Sequence, residues 1–89
     1  MKHYYIIDQT AERGFIEVTE SEYISINGTA ETAPYARQLY RGEITAADIP
    51  EDIRTEVETI VQNRIERFGT YTDREISDAE FKAMIEKSL

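Results

Sequence analysis

The side chains that could carry chemistry in this chain are a single histidine, His3, and eighteen carboxylates, since the sequence contains no cysteine. Histidine is the general base that enzymes use most often, but His3 stands near the start of the chain and has no thiol to activate. No Gly-x-Ser-x-Gly segment marks a nucleophilic serine either. Two carboxylates divide acid and base work only in a cleft that separates their pKa values, and small domains rarely enclose one. We therefore expect no catalytic residue and no enzyme activity.

Metal and cofactor sites are also not expected, because of the spacing of the acidic residues and the glycines. Calcium loops repeat aspartate or asparagine at every second position before a glycine, and the sequence lacks this pattern. Acids two positions apart, such as Glu56 and Glu58, point in different directions on a helix. The glycines are isolated, as at turns, and do not form a phosphate-binding loop: Gly14, Gly28, Gly42 and Gly69.

Length and composition limit the architecture that can position any of these side chains. The chain has 89 residues, of which 40% are hydrophobic, and this amount supports a single domain, 1–89, with one modest core. Its N-terminal apolar run, Tyr4 to Ile7, is too short for the core of a signal peptide or for a membrane span. We expect a cytoplasmic protein that does not associate with membranes.

The charge balance also excludes a class of partners. The net charge is −8 at neutral pH, and such a chain repels the phosphate backbone of nucleic acids. The basic residues are scattered, with Arg37 and Arg41 four positions apart and Arg64 and Arg67 three apart. Both pairs are interpreted as solvated helix faces. Direct binding of nucleic acid is therefore not expected, and a protein partner is.

Two sets of residues are candidates for contact with that protein partner. The chain has six tyrosines and no tryptophan, and tyrosine is frequent in interfaces because a rigid ring is buried at low entropic cost. The candidates are Tyr35, Tyr40 and Tyr71. Most of the six tyrosines are expected to complete the core, which leaves one or two of them as contact residues. The second set comes from the charged face of the predicted central helix: Glu51, Glu56 and Glu58.

The first elements of the chain predict a β-hairpin. Tyr4 to Ile7 and Phe15 to Val18 are rich in β-branched and aromatic residues, and the polar loop between them contains Gly14. Residues 16 and 18 would share one face, and residues 15 and 17 the other. A two-stranded hairpin is barely stable alone, so helices must cover it. Its edge strand, Tyr4 to Ile7, could also pair with another chain and give a homodimer.

The segment after the hairpin allows two interpretations. Thr19 and Glu22 form a capping-box pattern, which favours a helix from Glu20 to Ile26. The alternation of apolar residues over Tyr23 to Ile26 leaves open a third strand, which would end at an Asn-Gly turn.

The rest of the chain predicts further helices. Pro34 begins a short helix that stops at Gly42, and Thr45 begins a second cap. The longest helix is expected at about residues 50–68, with one apolar stripe: Ile53, Val57, Ile60, Val61, Ile65 and Phe68. Its opposite face is acidic, and three bases are expected to interrupt that face: Arg54, Arg64 and Arg67.

A polar connection, 70–74, leads to a last helix capped by Ser77. The apolar side of that helix is expected to consist of Phe81, Met84, Ile85 and Leu89. The predicted fold is therefore α+β, with an N-terminal β-hairpin packed against three to four short helices.

Two segments resemble proteins of bacteriophages. Val18-Thr19-Glu20-Ser21-Glu22-Tyr23 is similar to a Val-Thr-Glu-Glu-Glu-Tyr type of segment that follows short hairpins in phage tail-fibre and tail-assembly proteins. The segment from Tyr40 through Pro50, which begins Tyr-Arg-Gly-Glu-Ile-Thr, resembles small prophage proteins of Gram-positive bacteria. The resemblance implies a phage or prophage origin and a structural or assembly role, and it transfers no catalytic residues.

The expected function is accordingly that of a non-enzymatic protein-interaction module, a phage-type structural or assembly accessory. It would act in the cytoplasm or as part of a virion. The alternative is an acidic inhibitor that mimics nucleic acid and occupies the basic groove of a host enzyme.

Overall fold

The computed structural model describes residues 2–8, 11–71 and 76–88. Within these residues the chain forms a β-hairpin followed by four α-helices and one short 3₁₀-helix, in agreement with the predicted α+β fold. The elements are β1 (Tyr4–Ile7), β2 (Phe15–Val18), α1 (Glu20–Asn27), α2 (Ala33–Tyr40), the 3₁₀-helix (Ala46–Asp48), α3 (Glu51–Phe68) and α4 (Asp78–Ser88).

The hairpin pairs β1 and β2 antiparallel, with Tyr4 opposite Val18 and Ile7 opposite Phe15. Its connection turns at Gly14, whose φ of +78° lies in the left-handed region that favours glycine. The carbonyl of Gly14 accepts a hydrogen bond from the amide of Asp8, with the nitrogen and oxygen 3.0 Å apart.

Helices cover the hairpin on both faces. On the face of Tyr4, the ring of Tyr23 from α1 lies 5.3 Å away between centroids. On the opposite face, the ring of Phe81 from α4 meets Phe15 edge to face at 6.0 Å. Ile6 and Ile7 of β1 are both buried. Neighbouring strand residues point to opposite faces of a sheet, so both can be buried because helices cover both faces of the hairpin.

The segment Tyr23 to Ile26 is helical, so the alternative of a third strand is wrong. The capping box predicted at Thr19 is present, because the Thr19 hydroxyl accepts from the amide of Glu22 at 3.2 Å. The Glu22 carboxylate in turn accepts from the amide of Thr19 at 3.4 Å. The helix ends at Gly28, where a φ of +88° stops the helical path and the amide still donates to Ile24.

The core lies where α1 and α2 pack on α3. Ile49, just before α3, and Val57 within it are 1% and 0% exposed. They cluster with other buried residues: Ala36, Ile53, Ile60 and Val61. Four residues of this cluster belong to the predicted apolar stripe of the central helix: Ile53, Val57, Ile60 and Val61. Ile65, also in the stripe, is partly buried against the cluster.

The helices α2 and α4 begin close to their predicted starts. α2 begins at Ala33, one residue before Pro34, after the buried Thr32. The amide of Glu80 donates to the hydroxyl of Ser77 at 3.2 Å, as expected for the cap of α4. Leu89 and most of the connection predicted at 70–74 lie outside the described residues. In the part of the chain that is described, none of the helices has both the length and the apolar character needed to cross a membrane.

Candidate functional site

The outward face of α3 carries acidic side chains, most of them in the first half of the helix. Successive residues of an α-helix are rotated by about 100°, so the side opposite Val57 is made of residues 51, 52, 55, 56, 58, 59, 62, 63 and 66. Its charged members are all exposed and all acidic: Glu51, Asp52, Glu56, Glu58 and Glu66. The predicted contact residues Glu51, Glu56 and Glu58 therefore lie together on this surface, which we call the acidic face.

The expectation that three arginines interrupt this face is wrong, because they leave it. Arg54 is partly buried, and its Nη2 donates to the carbonyl of Ile49 at 3.0 Å. Arg64 points inward between the helices. Arg67 lies at the flank of α3 and reaches α1, where its Nη1 lies 3.5 Å from Oε2 of Glu22. Arg54 and Arg64 therefore lie off the acidic face, and Arg67 lies exposed at its edge.

An apolar groove adjoins the acidic face. It has a volume of about 300 Å³ and runs between the C-terminal part of α1 and the middle of α3. Ile24 is one of its walls and is 42% exposed, the one large hydrophobic residue so exposed among those described. Asn63 ties the two helices together by donating to the carbonyl of Ser25 at 2.9 Å. Glu56 belongs both to the groove and to the acidic face, so the two surfaces are continuous.

The three candidate tyrosines lie away from the acidic face. The Tyr40 hydroxyl donates to the carbonyl of Gly69 at 2.8 Å, and its ring meets that of Tyr71 edge to face at 6.0 Å. Tyr35 is partly buried against the core. The structure therefore brings Tyr40 and Tyr71 together but separates them from the glutamates, and the role of all three in binding a partner stays a prediction.

A second cavity, of about 150 Å³, lies between the hairpin and the helices. Three arginines line it, Arg37 from α2, Arg41 at the C-cap of α2 and Arg64 from α3, and each is partly buried. We call it the arginine cleft. The other described lining residues are uncharged and mostly aromatic or aliphatic: Tyr5, Ile6, Ile7, Tyr23, Asn27, Tyr40 and Phe81.

The arginine cleft corrects the interpretation of these arginines as solvated helix faces. Arg37 and Arg41 are four residues apart, so they lie on one side of α2. This spacing is the one feature of the sequence that could have indicated the arginine cleft. The third arginine, Arg64, joins them only because α2 packs on α3, and its guanidinium lies over the Tyr40 ring, 4.9 Å from the centroid. A pairing across helices is not visible in the spacing along the chain.

Two groups near the N-terminus of α1 have shifted pKa values. Hydrogen bonds from Thr19, and then the charge of Arg67, hold the pKa of Glu22 below its ordinary value of 4.5. Partial burial raises the pKa of the Tyr4 phenol, and the nearby carboxylate of Glu20 raises it further. Both shifts follow from the packing of α1 on the hairpin and from its cap.

His3, the side chain considered first for catalysis, forms an exposed pair with Glu17 through Nδ1 and Oε1. Within residues 2–8, 11–71 and 76–88, histidine and acidic side chains do not gather in a group of three that could hold a metal ion. Comparison of the chain with known protein families, with curated proteins and with solved structures found no match.

Proposed function

We infer that this chain is a non-enzymatic protein-interaction module, of the structural or assembly accessory kind that phages and prophages carry. The observation that carries the proposal is the continuity between the acidic face of α3 and the groove beside Ile24. A protein interface combines an apolar centre with a charged rim, and here the groove supplies the first and the acidic face the second.

The chemistry of this surface defines the partner. Five carboxylates on one helix face favour a basic protein surface, since complementary charge speeds encounter and sets orientation. The groove of about 300 Å³ has room for an apolar side chain of that partner next to Ile24. The partner is therefore a protein that presents Lys or Arg around an exposed apolar residue.

The similarity of Val18 to Tyr23 and of Tyr40 to Pro50 to phage segments supports the assembly role. The first segment leads into α1, which forms one wall of the groove. The second contains the turn from α2 and the 3₁₀-helix that lead to α3. Both segments therefore build the framework that presents the proposed binding surface.

The test is a tagged pull-down from a lysate of the source organism after prophage induction, read by mass spectrometry at low and at high salt. Capture of capsid or tail proteins that survives high salt supports the proposal, because contacts centred on an apolar groove are not screened by salt. Failure to capture any phage structural protein would contradict it.

A matched pair of variants locates the contact. The first variant combines Glu51→Gln, Glu56→Gln and Glu58→Gln. The control removes the same number of charges from exposed acids outside α3: Glu12→Gln, Glu31→Gln and Glu43→Gln. Weaker capture at low salt by the first variant alone assigns the charged part of the contact to the acidic face, whereas equal weakening in both would show an effect of net charge.

A second function, an inhibitor that mimics nucleic acid, is favoured by one observation. The acidic face carries five carboxylates and none of the arginines of α3, with four of the five in its first half, Glu51 to Glu58. Such a group of carboxylates could occupy a basic nucleic-acid groove of a host enzyme. Capture of a nuclease or polymerase that is lost at high salt and is displaced by DNA would select this function.

The edge of the hairpin is a second place where the chain could bind a protein, namely another copy of itself. In a two-stranded sheet each strand is paired with the other along one edge, so β1 offers its second edge to another chain. The mass of the protein in solution, measured by light scattering, distinguishes a monomer from a dimer.

A further inference from the structure

We propose that the groove beside Ile24 binds the side chain of a lysine, with the aliphatic stem along the groove and the ammonium group at Glu56. The inference rests on the proposed function and narrows it. The lysine belongs to the protein partner, and this single residue supplies both the apolar and the basic part of the contact in the groove. Its stem then provides the part of the contact that high salt does not screen.

The side chains of the groove use their hydrogen-bond donors within the chain. The hydroxyl of Ser25 donates to the carbonyl of Glu22, and the hydroxyl of Thr59 donates to the carbonyl of Thr55, each at 2.9 Å. The amide of Asn63 donates to the carbonyl of Ser25, also at 2.9 Å. A ligand that needs to accept hydrogen bonds therefore finds little to bind here.

The backbone amides at the end of α1 are used in the same way. The amide of Gly28 donates to the carbonyl of Ile24, and the amide of Thr29 donates to Oγ1 of Thr32, each at 2.9 Å. The hydroxyl oxygens of the groove, by contrast, have lone pairs left to accept further hydrogen bonds. This balance favours a ligand group that only donates, and an ammonium group is of that kind.

The charge at the groove is negative. Glu56 is exposed, and it is the one charged side chain among the described residues that line the groove. The C-terminal end of α1 also reaches the groove, through Ser25 and Gly28, and the last turn of α1 has no basic residue. The carbonyl end of a helix carries a partial negative charge, which favours a cation beside it.

The apolar walls of the groove suit a chain of methylene groups. Ile24 is 42% exposed, and Ile60, which is 6% exposed, also lines the groove. Lysine has a stem of four carbons, and such stems lie along apolar surface while the charged head stays in water. A cavity of about 150 Å³ holds a benzene ring. The groove, at about 300 Å³, therefore has room for the stem and its ammonium group.

Lysine fits these acceptors better than arginine does. The oxygens that remain available lie on two helices, at Ser25 on α1 and at Glu56 and Thr59 on α3. The three N–H donors of an ammonium group rotate to meet oxygens in separate places. The planar fork of arginine instead pairs best with the two oxygens of one carboxylate or phosphate.

The experiment is a titration of the isotope-labelled full chain followed by NMR at constant ionic strength. The probes are single amino acids with blocked amino and carboxyl ends: lysine, norleucine, 2,3-diaminopropionate and arginine. Norleucine keeps the stem without the charge, and diaminopropionate keeps the charge on a short stem. We expect saturable shifts at groove residues with lysine, between about 1 and 100 mM because so few atoms bind, and weaker binding of the other probes. Absence of saturation with lysine, or equal binding of any other probe, would overturn the proposal.

Two acids of α3 supply matched variants. Glu56→Gln should weaken lysine binding by about two- to fivefold, the effect of one exposed ion pair, and leave norleucine binding unchanged. Glu58→Gln removes an exposed acid that does not line the groove and should change neither. The amide spectrum of each variant shows whether the fold is kept. A folded Glu56→Gln variant that binds lysine as tightly as the unsubstituted chain would reject this site.

The titration and the pull-down fail independently. Capture of phage proteins without lysine binding in the groove would keep the proposed function and overturn the lysine site. Lysine binding without capture of a phage structural protein would keep the lysine site and contradict the assembly role.

Discussion

The guanidinium of Arg64 on α3 lies 4.9 Å from the ring centroid of Tyr40 on α2, while the Tyr40 hydroxyl donates to the carbonyl of Gly69 at 2.8 Å. One tyrosine therefore links α2 to α3 twice, by its ring face and by its hydroxyl. The hydrogen bond reaches the residue at which α3 ends, so it also positions the chain that leaves α3.

The two interactions of Tyr40 can be separated by substitution. Tyr40→Phe removes the hydroxyl and keeps the ring, and should lower the free energy of unfolding by about 0.5 to 1.5 kcal/mol. Tyr40→Leu also removes the cation–π contact and should cost about 0.5 to 1 kcal/mol more. Urea unfolding measures both. Equal stability of the two variants would show that the ring face of Tyr40 contributes nothing.

Gly28 and Gly42 form a matched pair for measuring close packing. Both have positive φ, +88° and +75°, so alanine at either position should cost about 1 to 3 kcal/mol in backbone conformation alone, and Gly28, with a ψ of −177°, lies in a region that essentially only glycine adopts. A Cβ at Gly28 would also lie 2.6 Å from Oγ1 of Thr32 and 3.1 Å from Cδ1 of Ile60, whereas Gly42 has no neighbour within 4 Å among the described residues. Gly28→Ala should therefore lower the melting temperature more than Gly42→Ala, and the reverse order would contradict this packing.

Glu22 should stabilise the fold in a pH-dependent manner. Its pKa in the folded chain is lowered from 4.5, chiefly by hydrogen bonds from Thr19, so its carboxylate stabilises the fold above that value. The contribution is lost as the pH falls through the lowered pKa. Glu22→Gln should thus reduce the melting temperature at neutral pH and make less difference as the pH falls through the lowered pKa of Glu22. Glu43→Gln, an exposed acid outside the cap, measures the effect of losing a surface charge alone.

Substitution by alanine should lower the stability of the fold strongly at Ile49 and only slightly at Ile24. Ile49 is 1% exposed, so Ile49→Ala leaves a cavity and should cost about 2 to 5 kcal/mol of stability. Ile24 is 42% exposed, so Ile24→Ala should change stability little. If the groove binds a protein, Ile24→Ala should instead weaken capture in the pull-down. A stable Ile24→Ala variant with unchanged capture would exclude the groove from the interface.

The hairpin, the helix starts and the core stripe could be predicted because their signals are local. Thr19 and Glu22 are three residues apart and cap the helix that they predict. The apolar spacing of Ile53, Val57 and Ile60 reports the buried side of α3 directly. These elements depend on a few neighbouring residues, and no knowledge of the tertiary packing was needed.

The arginine cleft could not be predicted because it depends on how the helices pack against each other. Arg64 is placed by the packing of α2 on α3, and Arg54 by a carbonyl of the preceding turn. The helical projection itself places Arg64 on the buried side of α3, because Arg64 follows Val57 by seven residues. What the projection cannot show is which side chains of other helices Arg64 meets there. The packing of α4 on the second face of the hairpin, through Phe81, is likewise a long-range contact.

The position of α4 on the hairpin has a consequence for the order in which parts of the fold open. α4 meets the hairpin through Phe81 against Phe15 and Met84 against Gly14, whereas α3 is covered by both α1 and α2. Less apolar contact holds α4, so its amides should exchange with solvent through openings of lower free energy than those of α3. Because Phe81 is one wall of the arginine cleft, such an opening should expose the cleft to solvent while Arg37 and Arg64 stay on α2 and α3.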